Sequence, residues 1–451
     1  MVRPNKKKIP HSSATTDSEE SSTNDDTCAH TTESENTTLS MSSSEETAST
    51  DGEEDSDESS SDEDTETSGT NSPDESFEEE FAKEIENASA KSAQTRVAGL
   101  KRICDTLIYY FVPDAVQEWK MTLIDCAEKS LRHGNRSEQI FSARLAPLLA
   151  LQLNGEDTVL NALSPIIWTG VKDKSVSLAT RAEYCSALGL LYYLSAADNE
   201  EFLNLMKLYE TIFTDSYLSG ENKKPNAVSA EAGDLHAAAL LSWALIFSLL
   251  PSRFILLWMT DGRLLFPSLD NLKGLLKSPH LKVRIAAGQA LVIIVECGRL
   301  NEKTFLLEYL ADLIDDFKKL AKDSHKHHSK RKRKTQHLAF RNMLLYLEED
   351  VTPKVDIRFG NETLVLDTWR AHHLYAVVCG LMGGGMNTHL SSNNFFRSVF
   401  LIGDKVTDTA ELVKQKHSKF NRNRKNIATS KARTKARRES RDKRTADFTE
   451  V

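Results

Sequence analysis

Three observations predict an all-α fold, an armadillo/HEAT-like helical solenoid with a small C-terminal region containing one β-hairpin and a long basic helix. Apolar residues recur at helical spacing from about residue 83 to 322. Two of the helices so predicted share an arginine followed by small residues, as in Arg181-Ala-Glu-Tyr-Cys-Ser-Ala-Leu188 and Arg284-Ile-Ala-Ala-Gly-Gln-Ala-Leu291. Strand-like alternation is missing from that whole span. Small residues let neighbouring helices approach closely, and helix pairs repeating about every 40 residues stack into a solenoid.

The first segment, residues 1–82, is expected to be a disordered acidic tail. Between His11 and Ala82 there are 24 Asp and Glu and no Lys or Arg. With so little apolar surface it cannot offset the entropy of ordering. The net charge of −9 therefore averages unlike pieces, and without that segment the chain is basic. Ser56 to Asp64 and Ser72-Pro73 offer hydroxyls beside acids, which suits acidophilic or proline-directed kinases.

Residues 83–322 form the expected repeat domain. Helices are predicted at 97–111, 115–131, 138–153, 158–170, 178–194 and 201–213. After a polar loop around Gly220 to Pro225 they resume at 234–250, 264–276, 282–297 and 302–322. Pro165 and Pro251 read as helix boundaries. The six cysteines are scattered without a C-x-x-C pair, so we expect reduced thiols in an intracellular protein and neither a zinc site nor a disulfide framework. No segment has the roughly 18 uninterrupted apolar residues of a membrane span.

The third segment, 323–407, opens on a basic loop, Lys330, Arg331, Lys332, Arg333 and Lys334, after His325, His327 and His328. That cluster reads as a secondary polyanion patch or a nuclear-localisation signal. A helix through Ala339 to Leu347 follows. Val355 to Phe359, Gly360-Asn361, and Glu362 to Asp367 then read as a hairpin on a two-residue turn, the one strand signal in the chain. Gly383-Gly-Gly385 has neither a P-loop nor a Rossmann context and reads as a helix break after a helix at 369–381. Asp367, His372 and His373 lie close in sequence but lack a nucleophile elbow or metal spacing, so we assign them to a polar helix surface.

The last segment, 408–451, is the predicted basic helix or tail. From Lys414 to Arg444 there are 14 Lys and Arg against Glu439 and Asp442. That charge density suits a polyanion. From Ile427 the composition favours helix, yet its cations at i, i+4 repel one another, so the helix should firm up on an anion.

The motifs Arg181 to Leu190, Val283 to Gly288, Phe340 to Leu344, Ile357 to Trp369, His389 to Asn393 and Lys431 to Asp447 resemble the interferon-related developmental regulator family. The resemblance extends over almost everything after about Lys91. It implies an armadillo-like fold, no catalytic activity and no cofactor. It also implies two roles: binding to ribosomes and ribosomal RNA, which silences translation, and nuclear transcriptional co-regulation with histone-deacetylase co-repressor complexes. On that basis Lys431, Arg433, Lys435, Arg437, Arg438, Arg441, Lys443 and Arg444 are the candidate RNA contacts. The expected location is cytoplasmic and nuclear, with neither a membrane nor a small-molecule substrate as partner.

Overall fold

The computed structural model describes residues 73–403 apart from 196, 220–223, 226–227, 252–253, 256–266 and 323–328. The first helix, α1 (Pro73–Ala88), starts ahead of the expected boundary at 82. Phe81, Ile85 and Ala88 are buried, with Phe77 packed beside them, and together they form one face of the helix. Glu78, Glu79 and Glu80 point outward from it. Averaging charge over the whole acidic segment hides this stripe.

The chain then alternates outer and inner helices. The order is α2 (Ala93–Tyr109), α3 (Pro113–His133), α4 (Arg136–Gln152), α5 (Asp157–Lys172), α6 (Leu178–Leu194), α7 (Asn199–Phe213) and α8 (Ala230–Phe247). It continues with α9 (Leu269–Gly274), α10 (Leu281–Arg299), α11 (Leu307–Lys322) and α12 (Lys330–Glu349). The even-numbered helices α2 to α12 each pack on the next, while the odd-numbered ones flank them. The fold is thus an all-α helical-repeat solenoid.

Local chemistry sets these helices. Ser92, Ser177, Ser229, Ser268 and Ser329 cap N-termini through their hydroxyls, and Asn135 with Glu138 forms a full capping box. The shared arginine has a structural cause. Arg181 Nε donates to the Val171 carbonyl (2.9 Å) at the end of α5, and Arg284 Nη1 donates to the Ser278 (2.7 Å) and Pro279 (3.1 Å) carbonyls. Arg96, at the same fourth position in α2, donates to Ala90 (3.0 Å) and Lys91 (2.8 Å). In each case the guanidinium satisfies carbonyls that the preceding turn leaves without a helical partner.

Some local expectations are corrected. Pro165 lies inside α5, where buried Leu163 and Ile167 hold the helix across it. The helix expected from Glu302 begins at Leu307, after Leu306 adopts a left-handed backbone (φ 58°). A second strand pair exists, β1 (Leu218–Ser219) with β2 (Lys224–Pro225), too short to leave an alternation signal.

After α12 the chain turns at Asp350 (φ 57°) into the expected hairpin, β3 (Val355–Phe359) and β4 (Glu362–Leu366). Gly360, at φ 56°, supplies the positive φ that its two-residue turn requires. Next come α13 (Trp369–Met382), a short 3₁₀ turn at Gly383–Gly385, α14 (Met386–Ser392) and α15 (Asn394–Val399). These form a strap back across the inner helices: α13 touches α10, α8 and α6, and α14 reaches α2.

Polar anchors fix the strap along its length. Trp369 N and Arg370 N donate to the two oxygens of Glu296 (2.7 and 2.9 Å), and His373 Nε2 donates to the Leu241 carbonyl (2.9 Å). Asn393 Nδ2 donates to Leu151 (2.9 Å), and His389 Nε2 to Leu107 (3.0 Å). Gly385 passes so close that a Cβ would collide with the Ile108 carbonyl. The middle inner helices are therefore covered on both faces, and α4, from Leu145 to Gln152, is buried at every position.

Candidate nucleic-acid interface

Helix α12 carries the predicted patch Lys330 to Lys334, which is helical and not a loop. Ser329 has an extended backbone (φ −57°, ψ 151°), and its Oγ accepts the Lys332 N–H (3.3 Å). The helix is held to the body by its other face. Gln336 accepts from Arg284 Nη2 (2.6 Å) and donates to the Leu320 carbonyl (3.0 Å). Phe340 meets Phe317 edge to face at 5.2 Å, and Gly288 lets Phe340 and Met343 come close.

This docking decides which cations face solvent. Lys330, Arg331, Lys332 and Lys334 are exposed, whereas Arg333, on the side of Gln336, is half-buried. The outward row continues through exposed His337 and Arg341, so Lys330, Lys334, His337 and Arg341 follow one another at spacings of four, three and four. Among the described residues none of Lys330, Arg331, Lys332, Lys334 and Arg341 is in an ion pair. Lys319 and Lys322 in the last turn of α11 extend the positive surface, Lys319 beside Asp316 (3.0 Å).

The first turn of α12 has no acidic residue. Cations there oppose the helix macrodipole, at a cost of about 0.3–1 kcal/mol each. An anion laid across the row relieves both the cation repulsion and the dipole. The geometry suits an extended polyanion, because successive exposed cations along a helix face can each meet a separate phosphate.

The C-terminal candidates Lys431, Arg433, Lys435, Arg437, Arg438, Arg441, Lys443 and Arg444 lie outside the described residues. What the structure does describe is the root of that segment. Arg397 is 1% exposed and grips both Glu362 oxygens, Nη1 to Oε1 at 3.0 Å and Nη2 to Oε2 at 2.6 Å. It also donates to the Leu390 and Gly403 carbonyls, both at 2.9 Å. The hairpin, α14 and the chain just before residue 404 are thereby joined at one guanidinium.

His373 is buried and not a surface group, whereas His372 is half-buried. His372 Nε2 donates to Pro353 (2.6 Å), and burial pushes the pKa of His373 down to about 4. Burial raises the thiols of Cys104, Cys185 and Cys297 to about 12, which makes them inert packing groups. Among the described residues no group of three or more His, Cys, Asp or Glu could hold a metal, and no helix is long and apolar enough to cross a membrane.

Sequence reading did not find Arg341, Arg397 or Glu296. Arg341 was legible as the continuation of Lys330 and Lys334 on one helix face. Arg397 and Glu296 were marked only by standing as charges within apolar runs.

The fold and its surface define a class: a helical-repeat scaffold whose inner face is occupied by its own chain and whose last inner helix displays a basic row. The chain belongs to the interferon-related developmental regulator family. The family model described as "Interferon-related developmental regulator (IFRD)" matches residues 40–348, and that described as "Interferon-related protein conserved region" matches 393–445. The chain is 34% identical over 363 residues to interferon-related developmental regulator 1 of Homo sapiens, covering 78% of each. It is 32% identical over 375 residues to interferon-related developmental regulator 2 of Mus musculus, covering 82% of this chain and 83% of that one. These relatives are named as regulators. The second match runs from Asn393, the cap of α15, through most of the basic segment.

Proposed function

We propose that the protein is a non-enzymatic regulator that binds ribosomes through ribosomal RNA and silences translation. Its basic C-terminal segment makes the principal contacts and the α12 row makes secondary ones. The observation that carries this reading is the division of surfaces. The inner face, where a solenoid of this kind would otherwise seat a partner, is filled by residues 369–400, while the unpaired cations of α12 face outward. Phosphate contact supplies the affinity, and the bulk of the solenoid obstructs the particle's working sites.

The test replaces Lys435, Arg437, Arg438 and Arg441 with Gln, which keeps helix propensity and removes four charges. Each phosphate contact contributes about 0.7–0.9 to the slope of log affinity against log salt, so the slope for purified ribosomes should become shallower by about 3. Neutralising Lys330 to Lys334 should weaken binding less. Unchanged affinity and slope in the tail variant would refute the reading. It would favour instead a nuclear co-regulator of histone-deacetylase complexes, with both clusters serving as import signals.

A further inference from the structure

Ser329 is a hydroxyl placed at the edge of the basic row with its proton uncommitted. The residue is exposed, its backbone is extended, and its Oγ serves only as an acceptor for Lys332 N. Directly after it come exposed Lys330, Arg331 and Lys332. An extended, accessible serine followed by cations is the substrate chemistry of a Ser/Thr kinase with an acidic cleft.

We propose that Ser329 is a phosphorylation site and that its modification switches off the nucleic-acid surface of α12. This rests on the reading of that surface as a polyanion site. In the step itself, Oγ attacks the γ-phosphorus of ATP. The new O–P bond replaces the bond to ADP, and the hydroxyl proton passes to the kinase's base. The product carries about −1.5 to −2 charge and three acceptor oxygens. The oxygens take up the free N–H groups of the first turn and lie among Lys330, Arg331 and Lys332. The phosphate therefore does in cis what a nucleic-acid phosphate would do in trans.

Two effects of opposite sign follow, and their combination identifies the switch. The start of α12 becomes more stable, because the anion complements the dipole and the neighbouring cations. Affinity for a polyanion falls, because about two contacts are lost. At about 0.8 per contact that lowers the salt slope by about 1.5, worth roughly ten-fold in affinity near physiological salt.

The experiment uses the full chain with Lys435, Arg437, Arg438 and Arg441 replaced by Gln, so that binding reports the α12 row, unmodified and with phosphoserine installed at position 329, and a 20-nucleotide oligouridine as probe. Affinity is measured across a salt series and hydrogen exchange is followed over residues 330–341. The expected result is roughly ten-fold weaker binding, a shallower slope and slower exchange. The same modification in a chain with Lys330 to Lys334 replaced by Gln should change neither affinity nor slope. A parallel reaction treats the folded wild-type chain and Ser329→Ala with a basophilic kinase, and mass spectrometry locates the phosphate. Equal affinity of the two forms, or a kinase that leaves Ser329 untouched while modifying an unstructured peptide of the same sequence, overturns the proposal. Failure of the unmodified chain to bind oligouridine overturns the polyanion reading instead, a result separable from the kinase and exchange outcomes.

Discussion

Removing the Glu296 carboxylate should release the strap from the far end of the solenoid while leaving the repeats folded. Glu296 sits on α10, is 8% exposed, and accepts two backbone N–H groups from the first turn of α13, with the Arg370 guanidinium 3.5 Å away. Burial pushes its pKa above the ordinary carboxylate value, against the pull of those donors and of Arg370. In Glu296→Ala the Trp369 N–H is buried with no acceptor, at about 1–3 kcal/mol. The Arg370 N–H, which is only partly buried, adds about 1 kcal/mol once water replaces the carboxylate. A total near 3 kcal/mol corresponds to roughly a hundred-fold change in the opening equilibrium. Glu296→Gln keeps one acceptor oxygen and should lose about half as much. Hydrogen exchange is the assay: peptides from 369–400 should lose protection by about that factor, and peptides from 145–152 in α4 should follow partway as their cover lifts. Unchanged protection of α13 in Glu296→Ala would show that the carboxylate does not hold the strap.

Two further outcomes are expected. Leu188 and Leu291, at 0% and 1% exposure, belong to the inner stack, so Ala at either position should cost about 2–5 kcal/mol in denaturant unfolding, and a shift within the noise would contradict the packing. His373 is held neutral with a pKa of about 4, below the unfolded value of about 6.5, so the unfolded chain binds more protons between those values. Its contribution is complete above about pH 6.5 and is lost, by about 3 kcal/mol, as pH falls toward 4, with buried His389 shifted in the same direction. Unfolding midpoints from pH 7.5 to 4.5 should show this loss, and His373→Gln, which can still donate to Leu241, should flatten it.

The repeat was legible because a solenoid is built from local signals. The Arg181 and Arg284 contacts to the preceding turn, the serine caps and the Gly360-Asn361 turn each act within ten positions along the chain. Placement of the strap was not, since the partners of His389 and Asn393 lie in α2 and α4 and no periodicity records them. One trace existed. The runs Ala239 to Phe247 and Ala286 to Val295 are apolar nearly all round, which a helix covered on one side does not need. In the candidate interface the charges were evident from composition, but only docking through Gln336 and Phe340 separates the outward cations from Arg333. The start of α1 was lost to averaging, and Pro165 was misread because proline's missing donor outweighed the apolar face that carries α5 through it.

The strap also bears on how the chain reaches its fold. A repeat array with only neighbour contacts can form piecemeal, each unit settling on the one before it as it is synthesised. Here the lid for the earliest repeats is encoded near the far end, and the bond from His389 to Leu107 spans 282 positions. Until residues 369–400 emerge, the apolar inner surfaces of α4, α6 and α8 remain open to solvent, and the partly made protein is at its most prone to association. The contacts that finally close the molecule couple its two ends. Unfolding should then proceed as one event and not by fraying from the terminal repeats.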